Sequence, residues 1–281
     1  MAGKKTPRLV FTASLWTLEG YPHPNREWTL TRKLREIAAA GFTAVEGTAR
    51  PRLREALVAE SLRYSGLFAA DDHRTYPAHL KAVAEAGAER VTVQIRPATA
   101  SPAQALAKTR HLLRAATRQK LRAGIETHRG TITETLAKIT SLADAYRQAE
   151  GTLLPFVWDP SHPAMVSHLK PFQFSEILLH RPDLVQSAEM VHCRPFNGQH
   201  AQIPVWDHAQ RLTREFREWL RFMEDFLACW LAGDRLNDEL WLCPEIGPVG
   251  IHGYNLSTMP PSWPQAIACR EHLSRIWRKL V

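Results

Sequence analysis

Short apolar runs rich in β-branched and aromatic residues alternate along this chain with longer stretches whose apolar positions recur every three or four residues. The first run, residues 8–16 (Arg-Leu-Val-Phe-Thr-Ala-Ser-Leu-Trp), reads as a buried strand. After a Pro-rich loop, Thr29 to Ala40 sets Leu30, Leu34, Ile37 and Ala38 on one helical face and stops at Gly41. The same alternation predicts strands over 44–47, 64–70, 91–96, 122–127, 153–158, 188–193 and 239–243. It predicts helices over 51–63, 77–88, 102–120, 131–147, 174–186, about 207–232 and 263–279. The helix near 207–232 carries Phe216, Trp219, Met223, Phe226, Leu227 and Trp230 as one stripe, which reads as core packing.

Eight strands, each followed by a helix, with no linker between them, predict a single-domain (β/α)8 TIM barrel over residues 1–281, with 1–7 as a flexible start. The rival architecture, a doubly wound open sheet, would favour a glycine-rich turn after the first strand, and none is present.

Composition narrows the setting. With 44% hydrophobic and 23% charged residues the chain is globular rather than disordered. Lys and Arg number 36 against 28 Asp and Glu, a net charge of +8. That balance would suit nucleic acid or phosphorylated substrates, but the basic residues are scattered among acids on helices rather than gathered in one run. Cys193, Cys229, Cys243 and Cys269 are dispersed and form no C-x-x-C pair, so neither a disulfide framework nor a zinc ribbon is indicated. Leu9 to Trp16 is too short and interrupted for an export signal or membrane span. A cytoplasmic protein is the expectation.

In a barrel of this kind the active site forms where the strands end. Those ends read Trp16; Glu46; Asp71 and Asp72; Gln94 and Arg96; Glu126 and His128; Asp159 and His162; His192 and Arg194; Glu245. The last four strands thus bring three carboxylates and several imidazoles to one rim. Such carboxylates repel each other unless a cation or a shared proton holds them. One divalent metal ion answers this. Glu126, Asp159, His192 and Glu245 offer three oxygens and one nitrogen, which suits manganese, magnesium or cobalt better than zinc. His162, three residues after Asp159, stays free for substrate, and Arg194 follows His192 onto the same face.

The segments Glu-x-His-Arg-Gly (126–130), Trp-Asp-Pro-Ser-His (158–162), His-Cys-Arg-Pro (192–195) and Cys-Pro-Glu-Ile-Gly (243–247), in this order at strand ends, resemble the xylose isomerase-like TIM-barrel family in its sugar phosphate isomerase/epimerase branch. The resemblance covers essentially the whole chain. By similarity to ketose 3-epimerases of that family, Glu126, Asp159, His192 and Glu245 are implied as metal ligands. Glu126 and Glu245 are implied as an acid/base pair, with His162 and Arg194 orienting substrate oxygens. The activity implied is metal-dependent sugar isomerisation or epimerisation, by proton abstraction next to a carbonyl through a metal-stabilised enediolate.

Three further residues remain open between roles. Trp16 either stacks on a sugar face or packs in the core. Glu46 either binds a distal hydroxyl or is a paired rim carboxylate. His128 closes the pocket or covers the following helix start. A lyase or dehydratase acting on a sugar or keto-inositol would begin with the same proton abstraction. An abasic-site endonuclease of the same superfamily is the rival in another class, but it would need extra histidines where the third and fourth strands end in Phe68-Ala69-Ala70 and Gln94-Ile95-Arg96. The expected partner is therefore a small sugar, with neither a membrane nor nucleic acid. A homo-oligomer stays open, because Trp263 and Trp277 of the last helix would serve either an interface or internal packing.

Overall fold

The computed structural model describes residues 7–248 and 253–281. Eight parallel strands close into one barrel in sequence order: β1 (Arg8–Ser14), β2 (Ala44–Gly47), β3 (Arg63–Ala70), β4 (Arg90–Ile95), β5 (Arg122–Glu126), β6 (Phe156–Trp158), β7 (Ala188–His192) and β8 (Glu239–Cys243). Pairing of β1 with β8, Leu9 opposite Leu240 and Phe11 opposite Leu242, seals the ring. The structure is the expected (β/α)8 barrel. The expected flexible start at 1–7 falls outside the described residues except for Pro7.

The outer ring keeps the predicted helices with revised boundaries and adds a short one after β6 that was not expected. It comprises α1 (Leu30–Ala39), α2 (Leu53–Ala59), α3 (Tyr76–Glu85), α4 (Pro102–Arg118), α5 (Leu136–Glu150), α6 (Ser161–Val166), α7 (Phe174–Leu178), α8 (Pro182–Gln186), α9 (Arg214–Ala232) and α10 (Ser262–Leu280). Thr29 caps α1, its hydroxyl accepting from Arg32 N at 3.3 Å. The helix expected over 131–147 starts only at Leu136. Before it, the Thr131 hydroxyl donates to His128 O and the Thr133 hydroxyl to Glu126 O, offering the backbone an alternative to the helical ladder. The helix expected over 174–186 is two, because Pro182 cannot continue one. The long helix begins at Arg214 rather than near 207, capped by Thr213, with Asp207 organising a tight turn before it.

The α9 stripe is buried as the periodicity requires, and burying each such side chain contributes about 1.5–3 kcal/mol. Trp263 and Trp277 are also buried within the chain, against Phe42 (5.4 Å between ring centroids) and Trp230 (6.1 Å). Among the described residues no helix is long and apolar enough to cross a membrane.

The period-two alternation of the strands positions the site. Val10, Ala44, Val157, Met190, Trp241 and Cys243 pack together as a layer inside the barrel. Two residues further along their strands stand Glu46, Asp159, His192 and Glu245. On β5 the layer position is Gly124, where a Cβ would lie 2.7 Å from Val157 Cγ2, so the layer closes only with glycine there; Glu126 is again two residues on. Below this layer an ionic network fills the barrel floor. Arg90 donates to Glu189 O at 2.6 Å, Arg63 reaches both oxygens of Glu239, and both guanidinium groups stack on Trp241 at 4.4 and 4.7 Å.

Candidate active site

His192 is the centre of the polar layer. Its Nε2 lies 2.8 Å from Glu46 Oε2, a Coulombic contact angled away from a well-aligned hydrogen bond. Its Nδ1 faces the other way, 3.1 Å from Glu126 Oε1 and 3.6 Å from Glu245 Oε2. Asp159 divides its oxygens. Oδ1 accepts from the backbone N–H and hydroxyl of Ser161, whereas Oδ2 faces the Arg194 guanidinium at 2.9 Å and His162 Nε2 at 3.3 Å. Arg194 also donates to Glu245. All of these side chains are buried.

Buried charges at this density shift each other. Burial alone would lower the His192 pKa, but Glu46, Glu245 and Glu126 outweigh it and hold the imidazole well above its usual range. Burial would raise Glu126, yet the His192 charge holds that carboxyl down. Glu245 is pushed up by burial, against His192 and Arg194, with Glu126 and Asp159 adding to the rise. His162 is driven well below the ordinary histidine range by burial, then by His128 and Arg194, and is neutral at pH 7. Its two ring nitrogens have no hydrogen-bond partner, and neither do Nε and Nη1 of Arg194.

The donor set fits a hard divalent ion. Glu126, Asp159 and His192 each offer an atom, all within 4.8 Å of one another, and so do Glu46, His192 and Glu245. A third such group, Glu126, His128 and His162, lies alongside.

A cleft of about 360 Å³ opens over the cluster, lined by Trp16, Gln94, Glu126, His128, Arg194, Glu245 and Tyr254 among others. A larger recess of about 610 Å³ on the flank, around His73, Lys108 and His111, contains no carboxylate cluster.

The structure brings Glu126, Asp159, His192, Glu245 and Arg194 together in one layer and sets Trp16 and His128 on the cleft wall. His162 lies beneath His128, ring centroids 4.0 Å apart. Glu46, expected either to bind a distal hydroxyl or to be a paired carboxylate, is fully buried beside His192, accepts from the Thr92 hydroxyl, and is not among the residues lining the cleft.

Two residues at the site were not singled out from the sequence. Gln94 donates to Glu126 Oε2 at 2.9 Å; it stands at a strand end but carries no charge to mark it. Tyr254 lies in the irregular loop after β8, where periodicity gives no signal. Its ring carries the Arg194 guanidinium at 4.5 Å and meets Trp16 edge-on at 5.1 Å. Gly247 makes this possible, since a Cβ there would come within 2.5 Å of Trp16 and 2.6 Å of Tyr254. Gln202 latches the same loop, accepting from Gly247 N at 2.6 Å.

No protein-family model and no curated protein matches the chain. Solved structures do. An L-ribulose 3-epimerase aligns over 96% of both chains with a TM-score of 0.60 at 11% identity. D-allulose 3-epimerase from Methylomonas sp., in complex with D-allulose, aligns over 98% of both with a TM-score of 0.59 at 11% identity. A xylose isomerase-like TIM-barrel protein from Mycobacterium smegmatis, in complex with magnesium, aligns over 99% of this chain and 98% of its own with a TM-score of 0.57 at 13% identity. The chain thus has the complete barrel of sugar phosphate isomerase/epimerase and xylose isomerase-like proteins; at these identities the likeness is one of fold.

Proposed function

We propose that this chain is a divalent-metal-dependent sugar isomerase or epimerase, and that manganese, magnesium or cobalt suits it better than zinc. The observation that carries this reading is the convergence of Glu126 and Glu245 on Nδ1 of His192, with Asp159 in donor reach of Glu126 and His192, at the base of a sugar-sized cleft. The neighbours' sugars, including the D-allulose bound to one of them, support the substrate class.

Glu126, Asp159, His192 and Glu245 would hold the ion, which when bound supplies polarisation of a carbonyl and stabilisation of the negative charge left by proton loss. Glu126 and Glu245 flank the same imidazole nitrogen from different strands, so a carbon held between them can lose a proton to one carboxylate while the other, as a carboxylic acid, donates a different proton to it. Neutral His162 and the unpaired Nε and Nη1 of Arg194 offer hydrogen bonds to substrate oxygens. Trp16 and Tyr254 wall the cleft with aromatic surface, which packs well on a sugar face.

The test is incubation of metal-loaded protein with a panel of ketoses, keto-inositols and oxidised glycosides in deuterated water. NMR follows solvent deuterium into the carbon beside the carbonyl and identifies the products. Deuterated epimer or isomer is the expected result; an unsaturated product would assign elimination. Absence of exchange across the panel at full metal loading, or three metal ions per chain in place of one, overturns the reading.

A further inference from the structure

The cleft is polarised. Its floor is carboxylate, already countered by His192 and Arg194, but its rim is guanidinium. Arg50 after β2, Arg96 after β4 and Arg129 after β5 all line it, with Glu19 as the one rim acid among the described lining residues. Arg96 and Arg129 close no ion pair among the described residues, and Arg50 reaches a carboxylate only at range, as one of the charges that lower the Glu27 pKa. Arg96 is steered by Gln94 Oε1 at 3.4 Å, the same Gln94 that donates to Glu126. Arg129 donates to the Tyr254 hydroxyl at 2.7 Å and lies 5.1 Å over that ring.

Exposed arginines on the outer surface, such as Arg26, Arg52, Arg118 and Arg217, also close no ion pair among the described residues, so what sets these three apart is that they share one cleft. Arg63, Arg90, Arg122 and Arg181 all close onto Asp or Glu, the first three of them at the opposite end of the barrel. Three arginines that close no ion pair and line one cleft leave planar, permanently charged donors available to whatever the cleft holds. Guanidinium groups match phosphate and carboxylate oxygens two at a time, and a neutral polyol would not use that charge. Their place matters too. They stand at the mouth, whereas the acid/base carboxylates stand at the base, so an anion and the reacting carbon would lie at opposite ends of one ligand.

We propose that the substrate is a sugar bearing an anionic group, phosphate or carboxylate, at the end remote from its carbonyl, bound by Arg50, Arg96 and Arg129. This rests on the isomerase reading for the reaction, but the anion subsite has its own test. Deuterium exchange would be compared for a ketose, its terminal phosphate and the corresponding keto-sugar acid. The expected result is a kcat/KM at least tenfold higher for one of the anionic forms, with the preferred form identifying the group. The preference should collapse about tenfold for each of R96A and R129A, the scale of one charge-assisted hydrogen bond. A neutral ketose turned over as well as both anions, or a preference unmoved by these variants, overturns it.

If none of the three exchanges deuterium, the reaction assignment fails and inorganic phosphate decides the subsite alone. Titration followed by 31P NMR should show binding weakened at least tenfold in the R96A/R129A double variant; equal binding by the wild type and the double variant overturns the proposal.

Discussion

Glu46 Oε2 sits 2.8 Å from His192 Nε2, both side chains wholly buried, while Nδ1 of the same ring points towards Glu126 and Glu245. A carboxylate behind the ring favours the proton on Nε2 and leaves Nδ1 as the nitrogen that can ligate. Replacing Glu46 with Gln keeps the size and removes the charge. Manganese affinity, followed by titration calorimetry, should fall about 10- to 100-fold, the cost typical of losing such an outer partner. Activity should recover at saturating metal. Unchanged affinity would show that Glu46 serves only to fill the barrel.

Glu126→Gln and Glu245→Gln should each reduce solvent-deuterium exchange into substrate by at least about 10²- to 10⁴-fold. The folds should survive. Gln at 126 still has a carbonyl oxygen to accept from Gln94, and with Gln at 245 Arg194 still has Asp159. Circular dichroism and metal content would be measured beside exchange, because each residue is also proposed as a ligand. Retained exchange in both variants would sink the acid/base assignment.

How much of this was legible beforehand depends on the kind of signal. Strand count and order were readable because buried parallel strands are short continuous apolar runs, and the polar residue ending each one stands out against them. Asp159 and Glu245 were visible for that reason. Helix starts were less so: the helix expected from 131 begins only at Leu136, because the hydroxyls of Thr131 and Thr133 bind backbone groups instead and only Thr135 becomes the cap. The side of His192 on which Glu46 would fall was not readable, since period two places both inside the barrel but gives no depth. Tyr254 was invisible for a third reason: its place depends on Gly247 and Gln202, contacts between segments far apart in sequence.

Gly247 offers a direct check on that last contact. In Gly247→Ala the new Cβ meets Trp16 and Tyr254 well inside van der Waals distance, so the rings must part. Overpacking of this kind costs about 1–3 kcal/mol, or roughly 2–4 °C in Tm for each kcal/mol. Because Tyr254 carries Arg194, KM for the substrate should rise along with the loss of stability. A variant with wild-type Tm and KM would mean that the loop after β8 re-forms elsewhere at no cost.

The barrel floor predicts how the protein responds to acid. Burial would raise the Glu239 carboxyl, but hydrogen bonds from Arg63 and Trp241 and the charge of Arg90 outweigh it and hold the pKa near 2, below its ordinary 4.5. A folded-state pKa below the unfolded one contributes stability that is complete above pH 4.5 and is lost as pH falls from there towards 2. Allowing for solvent screening at the floor, this amounts to about 1–2 kcal/mol. Glu239→Gln should lower Tm at pH 7, because Arg63 and Arg90 each lose a carboxylate, and the deficit should shrink as the pH approaches 2. Thermal unfolding at several pH values between 7 and 2, wild type against variant, measures it. Parallel curves across that range would show that the carboxyl of Glu239 is not ionised in the folded barrel as its partners require.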